Sequence, residues 1–320
     1  MGEFELIRRF FDRPVRRSPL GVGDDCALLA PQPGMQLAVS SDMLVEGRHF
    51  LSTVDPRRLG HKALAVNLSD LAACGARPLA FSLSLALPHA DPHWLAPFAE
   101  GLFALAEAHD CELVGGDTTR GPLCIAITVY GEVPAGQALL RSGARAGDDL
   151  WVSGTLGDAR LALEIFRGRA QATAEVFVAA RARMEQPEPR VSLGQALRGV
   201  ATSAIDVSDG LLGDLAHVLD RSGVGASVDA PSAAGLLAAA RAGYTAPAPQ
   251  ILELVLAGGD DYELAFTAPP AARQSVEEAG ARTGTPVTRI GRVEAEPGLR
   301  VLDANGGLVP RSFAGFDHFA

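Results

Sequence analysis

The chain reads as a mixed α/β protein of two domains, each built on a mixed sheet. Three observations predict this. The first 133 residues alternate strand-like and helix-like segments and then end in strands. A Gly-rich, charged stretch, RSGARAGDDLWVSG at 141–154, breaks the pattern and opens a new strand. Beyond it comes a second series of helices and strands. We therefore divide the chain at 1–140 and 141–320.

The elements follow in order. QLAVSS at 36–41 reads as a short strand ending at Asp42. Residues 56–75 read as a helix, with Pro56 near its start, Gly75 at its end and an apolar stripe of Leu59, Ala63, Val66 and Ala73. Asn67 and Asp70 are three apart and share one face of that helix. LAFSLSLAL at 79–87 alternates like a strand, and 92–109 form a helix with Asp91 as its N-cap candidate. LCIAITVYGEV at 123–133 is a strong strand. In the second domain, LWVSG opens a strand, helices are expected near 157–166, 172–184 and 191–200, and SAID runs into a helix from about Asp209. Residues 229–250 form an Ala- and Pro-rich helical connection, and YELAF, PVTRIGRV and LRVLD are strand-like. No short-period repeat is present, although each half has a strand ending in Asp followed by a helix with a further Asp.

Bulk properties narrow the function. The net charge of −10 argues against nucleic acid or an anionic membrane as the main partner. It leaves room for an anionic small molecule, because bound cations invert the local sign. Of 28 Lys and Arg, only Lys62 is lysine, and no Gly-rich loop contains it. A Walker-type phosphate cradle is thereby excluded, and so is the protein-kinase motif set. The four cysteines, Cys26, Cys74, Cys111 and Cys124, form no CxxC pair and sit in apolar contexts, which reads as buried thiols in a reducing cytosol. With no signal peptide and no apolar run of about 20 residues, we expect a soluble cytoplasmic protein.

The chemistry lies in acidic motifs. GDD at 23–25, SSDMLVEGRHF at 40–50, NLSDLAACGARP at 67–78, GGDTTRGP at 115–122, AIDVSDGLLGDL at 204–215 and GGDDYELAF at 258–266 each set Asp beside Gly, Ser or Thr next to an apolar run. Carboxylates repel one another, so their convergence implies a hard divalent cation. Mg²⁺ takes one or two carboxylates per ion and fills its shell with water and phosphate oxygens, which points to a polyphosphate, a nucleotide. Asp25, Asp42, Asp70, Asp117, Asp206 and Asp209 offer carboxylates for more than one ion, and Ser40 and Ser41 offer hydroxyls. Any one of these Asp, taken alone, is more often an N-cap or turn residue than a ligand; six in similar element-end contexts are not six unrelated caps. The GGD stretches could bring backbone N–H groups to a phosphate or be plain turns, and Ser208–Asp209 reads as a helix start whose free amides attract anions. Arg120 and Arg141 are candidates for phosphate contact. No Ser-His-Asp or Cys-His nucleophile system stands out, which suits phosphoryl transfer, where positioning and charge neutralisation suffice.

Taken in order, GVGDDCALL, KALAVNLSDLAACGARP, GGDTTRGP, RSGARAGD, AIDVSDGLLGDL and GGDDYEL resemble the thiamine-monophosphate kinases. These belong to the superfamily of aminoimidazole-ribonucleotide synthetase and selenophosphate synthetase. The resemblance runs from GEFELI to GFDHFA, nearly the whole chain. It implies direct in-line phosphorylation of thiamine monophosphate to thiamine diphosphate by ATP, with several Mg²⁺ ions. It implies two α/β domains, with ATP and Mg²⁺ bound by the N-terminal one, and a homodimer joined through that domain's strands. Carried over by motif, Asp25, Ser40, Ser41, Asp42, Asp70, Asp117, Asp206 and Asp209 are metal ligands, with Asp42, Asp70, Asp117 and Asp209 central to catalysis. Gly116, Asp117, Arg141 and Ser208 contact ATP, and His49, Asp260 and Phe316 line the acceptor site. Position 41 is Ser where relatives often have Thr, 260 is Asp where Glu is common, and 316 is Phe where Tyr is common. The last two differences leave a related pyrimidine or thiazole phosphate open as acceptor. A selenophosphate synthetase would carry a reactive Cys beside a Lys in an N-terminal Gly-rich segment, and none is visible. A Ca²⁺ sensor of the EF-hand kind would concentrate its Asp residues in one loop, whereas here they are dispersed.

Overall fold

The computed structural model describes residues 2–310 and 313. The chain divides into two compact units, one running through Leu71 and again over Ala76–Gly136, the other comprising Ala72–Gly75 and the chain from Gln137 onward.

The first unit opens with α1 (Glu3–Leu6) and a π-helical turn over Ile7–Phe11. Then come β1 (Met35–Val45), α2 (Pro56–Ala73), β2 (Arg77–Leu87), α3 (Pro92–Ala108), β3 (Glu112–Arg120) and β4 (Cys124–Pro134). The sheet order is β1-β4-β2-β3, so β1 and β3 are the edges. β4 runs antiparallel to both β1 and β2, while β2 and β3 are parallel and linked by α3, as a parallel pair requires. Asp91 starts α3 by accepting the His93 N–H at 2.9 Å. The helices pack backbone to backbone: a Cβ on Gly60 would lie 2.0 Å from the Phe98 carbonyl, and one on Gly101 1.8 Å from that of Arg57. The core joins Leu64, Leu68 and Leu71 of α2, Leu95, Phe98 and Leu102 of α3, and Phe81, Leu85, Ile125 and Ile127 of the sheet. The odd-numbered apolar residues of β1, Leu37, Val39, Met43 and Val45, remain exposed on the other face.

The second unit contains β5 (Asp149–Ser153), α4 (Asp158–Phe166), α5 (Ala174–Glu185), α6 (Val191–Ala196), β6 (Ser203–Val207), α7 (Leu211–Ser222), β7 (Gly225–Asp229), α8 (Ala230–Ala234) and α9 (Ala238–Arg241). It continues with α10 (Ala248–Ala257), β8 (Glu263–Ala268), α11 (Arg273–Thr283), β9 (Val287–Glu294) and β10 (Gly298–Leu302). The sheet order is β10-β7-β9-β5-β8-β6, with β10 and β7 parallel and every other neighbouring pair antiparallel. Both sheets are thus mixed, as expected. β5, β6 and β8 are buried along their whole length.

Several expectations are corrected. β1 does not end at Asp42, because its pairing with β4 continues to Val45 opposite Cys124. The GGD at 115–117 is not a turn: it lies inside β3, paired with Ser82, Leu83 and Ser84 of β2. α7 begins at Leu211 rather than near Asp209. β7 and α11 carry weak signals, since GASVD is small and RQSVEEAGART is polar, with only Val276, Ala279 and Gly280 buried. Of the four thiols expected to be buried only Cys111 is; Cys74 and Cys124 are half-buried, Cys26 is exposed, and none is in a disulfide.

Candidate active site

In the first unit, β1 and α2 bring three oxygen-bearing side chains together with the backbone of Asp42. The Ser40 hydroxyl donates to Asp70 Oδ2 at 2.5 Å, and the Asp42 N–H donates to Asn67 Oδ1 at 3.0 Å. Asn67 is itself oriented by donating Nδ2 to the Ala63 carbonyl at 3.0 Å. The shared helix face of Asn67 and Asp70 is therefore the face turned to β1, and Ser40 and Asp42 lie on one side of that strand by its period of two. Ser41 falls on the opposite side, donating to the Ile127 carbonyl at 3.1 Å and lying 3.0 Å from Thr128 Oγ1.

The remaining residues of this unit stand apart from that cluster. Asp117 is exposed on edge strand β3, in the row Met43–Ala126–Ser84–Asp117. Three strand spacings, about 14 Å, separate it from β1. Gly116 has φ +145°, and a Cβ there would lie 1.8 Å from the Leu83 carbonyl, so the close approach that demands glycine is to β2. Asp25 is exposed in the loop before β1, its N–H donating to Asp24 Oδ1 at 2.8 Å. His49 uses Nδ1 to accept the Val45 N–H at 3.0 Å, closing the turn after β1. Among the described residues no three His, Cys, Asp or Glu side chains are grouped so as to hold an ion by themselves. The donors present are all oxygens, the ligand type Mg²⁺ takes, and so few protein carboxylates suit an ion that draws its other ligands from water and phosphate.

In the second unit, Asp206 is buried on β6, and Ser208 and Asp209 follow in the turn to α7. The amides of this turn are not free, contrary to expectation. The N–H groups of Ser208, Asp209 and Gly210 all donate to Asp214 Oδ2, at 3.0, 3.1 and 3.2 Å. Burial pushes the Asp214 carboxyl up to about 7, and the Asp209 charge adds to this, while the three amides pull the other way. Asp214 was not singled out from sequence; the available signal was an acid one turn inside the helix that follows the Asp206 strand.

Asp260 stands beside the same turn. The Asp260 N–H donates to the Ser208 carbonyl at 2.7 Å, and the Tyr262 N–H to that of Val207 at 2.8 Å. Asp260 and Tyr262 both have positive φ, 64° and 54°, a conformation costing about 1 kcal/mol or more each for such residues. Between them Asp261 is buried and accepts the Gly157 N–H on both oxygens, at 3.0 and 3.1 Å; burial raises its carboxyl pKa well above the usual range. Glu263, fully buried, meets Ser153 Oγ and Arg190 at 2.6 Å and Arg183 at 2.8 Å, which anchors the start of β8. Arg141 is exposed, and its carbonyl accepts from Ser222 Oγ at 3.3 Å. Phe316 lies outside the described residues.

Two α/β units bearing acidic motifs on strand and turn define the class. The family model of AIR synthase related proteins matches with its N-terminal domain over residues 23–133 and with its C-terminal domain over residues 145–304. The thiamine-monophosphate kinase of Salmonella typhimurium is 45% identical over 328 residues, an alignment spanning 100% of this chain and 98% of the relative. The crystal structure of thiamine-monophosphate kinase from Stenotrophomonas maltophilia matches with a TM-score of 0.84 at 43% identity, covering 96% of each chain. A structure of AaThiL complexed with AMPPCP and TMP matches with a TM-score of 0.75 at 31% identity, covering 91% of this chain and 89% of that one. The chain belongs to the thiamine-monophosphate kinase family.

Proposed function

We propose that this chain transfers the γ-phosphoryl group of ATP to the phosphate of thiamine monophosphate, giving thiamine diphosphate and ADP in thiamine diphosphate biosynthesis. One observation carries the reading: the oxygen-only cluster of Ser40, Asp42, Asn67 and Asp70 sits in a chain that matches thiamine-monophosphate kinases along its whole length. The acceptor is already a phosphate monoester, and its ionised oxygen attacks in line without a strong protein base. The residues therefore bind and align. Asp25, Ser40, Ser41, Asp42, Asp70, Asp117, Asp206 and Asp209 are the proposed metal ligands, of which Asp42, Asp70, Asp117 and Asp209 matter most for catalysis. Mg²⁺ held by these residues would neutralise phosphate charge. Gly116, Asp117, Arg141 and Ser208 serve the nucleotide, and His49, Asp260 and Phe316 the acceptor.

We also propose a homodimer joined through β1, an 11-residue edge strand whose exposed Leu37, Val39, Met43 and Val45 call for cover. The N-terminal domain, 1–140, then serves ATP, Mg²⁺ and dimerisation, and 141–320 is the C-terminal α/β domain. We propose that the enzyme works in the cytoplasm, in keeping with its expected use of ATP. No helix among the described residues is long and apolar enough to cross a membrane.

The test is incubation of the purified protein with ATP, Mg²⁺ and thiamine monophosphate, with products separated by chromatography. Thiamine diphosphate and ADP in equal amounts, both abolished by EDTA, are expected. ADP without thiamine diphosphate would move the acceptor elsewhere and direct attention to Asp260 and Phe316. No ADP with both substrates present would overturn the reading.

A further inference from the structure

The turn that carries Ser208 and Asp209 is held from two sides. On one side the loop of Asp260 and Tyr262 donates two N–H groups to the carbonyls of Ser208 and Val207, at 2.7 and 2.8 Å. On the other, a single oxygen of Asp214 gathers three consecutive amides, those of Ser208, Asp209 and Gly210. Asp214 is 5% exposed, and it lies in the first turns of α7, where a side chain leans back toward the helix start. An acid there is also favoured by the helix dipole.

The arrangement is more than the start of a helix. Asp91 and Asp229 cap α3 and α8 from in front, each accepting the N–H group two or three residues ahead. Asp214 reaches back instead, to three residues that precede α7, including Gly210 at φ 117° and ψ 140°. What it shapes is the turn. Were its oxygen removed, three consecutive amides, that of Gly210 buried and those of Ser208 and Asp209 partly so, would lose their acceptor. The turn would then re-form around another acceptor and carry the Ser208 hydroxyl and the Asp209 carboxylate with it.

We propose that Asp214 is a positioning residue for phosphoryl transfer, its buried carboxylate setting the Ser208–Gly210 turn so that Ser208 and Asp209 meet the Mg²⁺–nucleotide. The inference rests on the nucleotide reading of Ser208 and Asp209 given above. It separates Asp214 from the groups that touch substrate, and it predicts a defect on the nucleotide side only.

The test compares wild type, D214A and D214N as full-length proteins, with binding of Mg²⁺–AMPPCP and of thiamine monophosphate measured by calorimetry. D214A loses about tenfold or more in affinity for Mg²⁺–AMPPCP, and D214N, which keeps an oxygen acceptor, loses less than about threefold. Thiamine monophosphate affinity stays within about twofold in both. Equal nucleotide affinity in all three proteins, a parallel loss of thiamine monophosphate affinity, or an Asn variant as impaired as the Ala variant would overturn the proposal. If D214A does not fold, amide hydrogen exchange in D214N decides. The amides of 208–210 exchange about fivefold faster or more than in wild type, because a neutral acceptor holds them less strongly than a charged one, while the interior of α7 is unchanged. Equal exchange overturns it. Wild type that binds no Mg²⁺–AMPPCP would refute the nucleotide reading instead, and the exchange comparison would still report whether Asp214 sets the turn.

Discussion

Asp70 accepts the Ser40 hydroxyl and, as a proposed ligand, also presents its charge to a cation. The two roles separate in Asp70→Asn, which keeps an oxygen for Ser40 but removes the charge. The expected outcome is an unchanged unfolding temperature, within about 2 °C, with turnover lower by about 10³-fold or more. Asp117→Asn, on an exposed strand edge where its side chain makes no hydrogen bond or ion pair among the described residues, should behave likewise. Steady-state kinetics beside thermal unfolding checks both, and full activity in either variant would remove that residue from the site. At this scale the sequence was informative where spacing alone sets geometry: Asn67 and Asp70 share a helix face because they are three residues apart. It was silent on Asp214, because an acid near a helix start looks the same whether it faces solvent or collects three amides.

Among the elements, α2 and α3 meet where neither can carry a side chain. A Cβ on Gly101 would stand 1.8 Å from the Arg57 carbonyl, part of a backbone that cannot swing away. Replacing this glycine by alanine improves helix propensity by about 1 kcal/mol. Forcing the helices apart costs about 3 kcal/mol, so the clash wins. Gly101→Ala is expected to destabilise the protein by roughly 2 kcal/mol in urea unfolding, the difference between those two effects. A stabilised variant would mean that the helices can separate freely. α2 and α3 themselves were legible, through Pro56, the Asp91 cap and the apolar stripe, but their crossing was not. Gly60 and Gly101 are 41 positions apart, and each by itself reads as a poor helix residue. The same limit explains β3: GGD is a turn signal, and only pairing with β2 turns it into strand.

For the whole molecule, the exposed apolar side of β1 is the feature that one chain leaves unsatisfied. Wild type is expected to run in light scattering at twice 33.3 kDa, and Val39→Glu, which places a charge in the middle of that side, close to 33.3 kDa. A wild type that stays monomeric at micromolar concentration would leave the β1 side without its proposed cover. The Ser40–Asp70 cluster lies across the strand from this side, so the monomeric variant should retain its fold.

The sequence by itself determined the class of fold, the order of nearly all elements, the acidic motifs and the family they mark. These depend on information local in the chain: periodicity, caps, turn residues and short motifs. Only the tertiary structure decided that Asp42 lies within a strand, that Ser40 and Ser41 face opposite sides, that Asp117 stands at the far edge, and that Asp214 fills the turn once expected to hold an anion. The strand placements of Asp42 and Asp117 depend on which distant backbone lies alongside, as Ile127 lies opposite Asp42 and Leu83 opposite Gly116; the Asp214 contact is local in the chain but depends on which way its side chain turns. Pairing register couples residues tens of positions apart: the alternation within one strand sets which face it buries, but not which strand lies beside it.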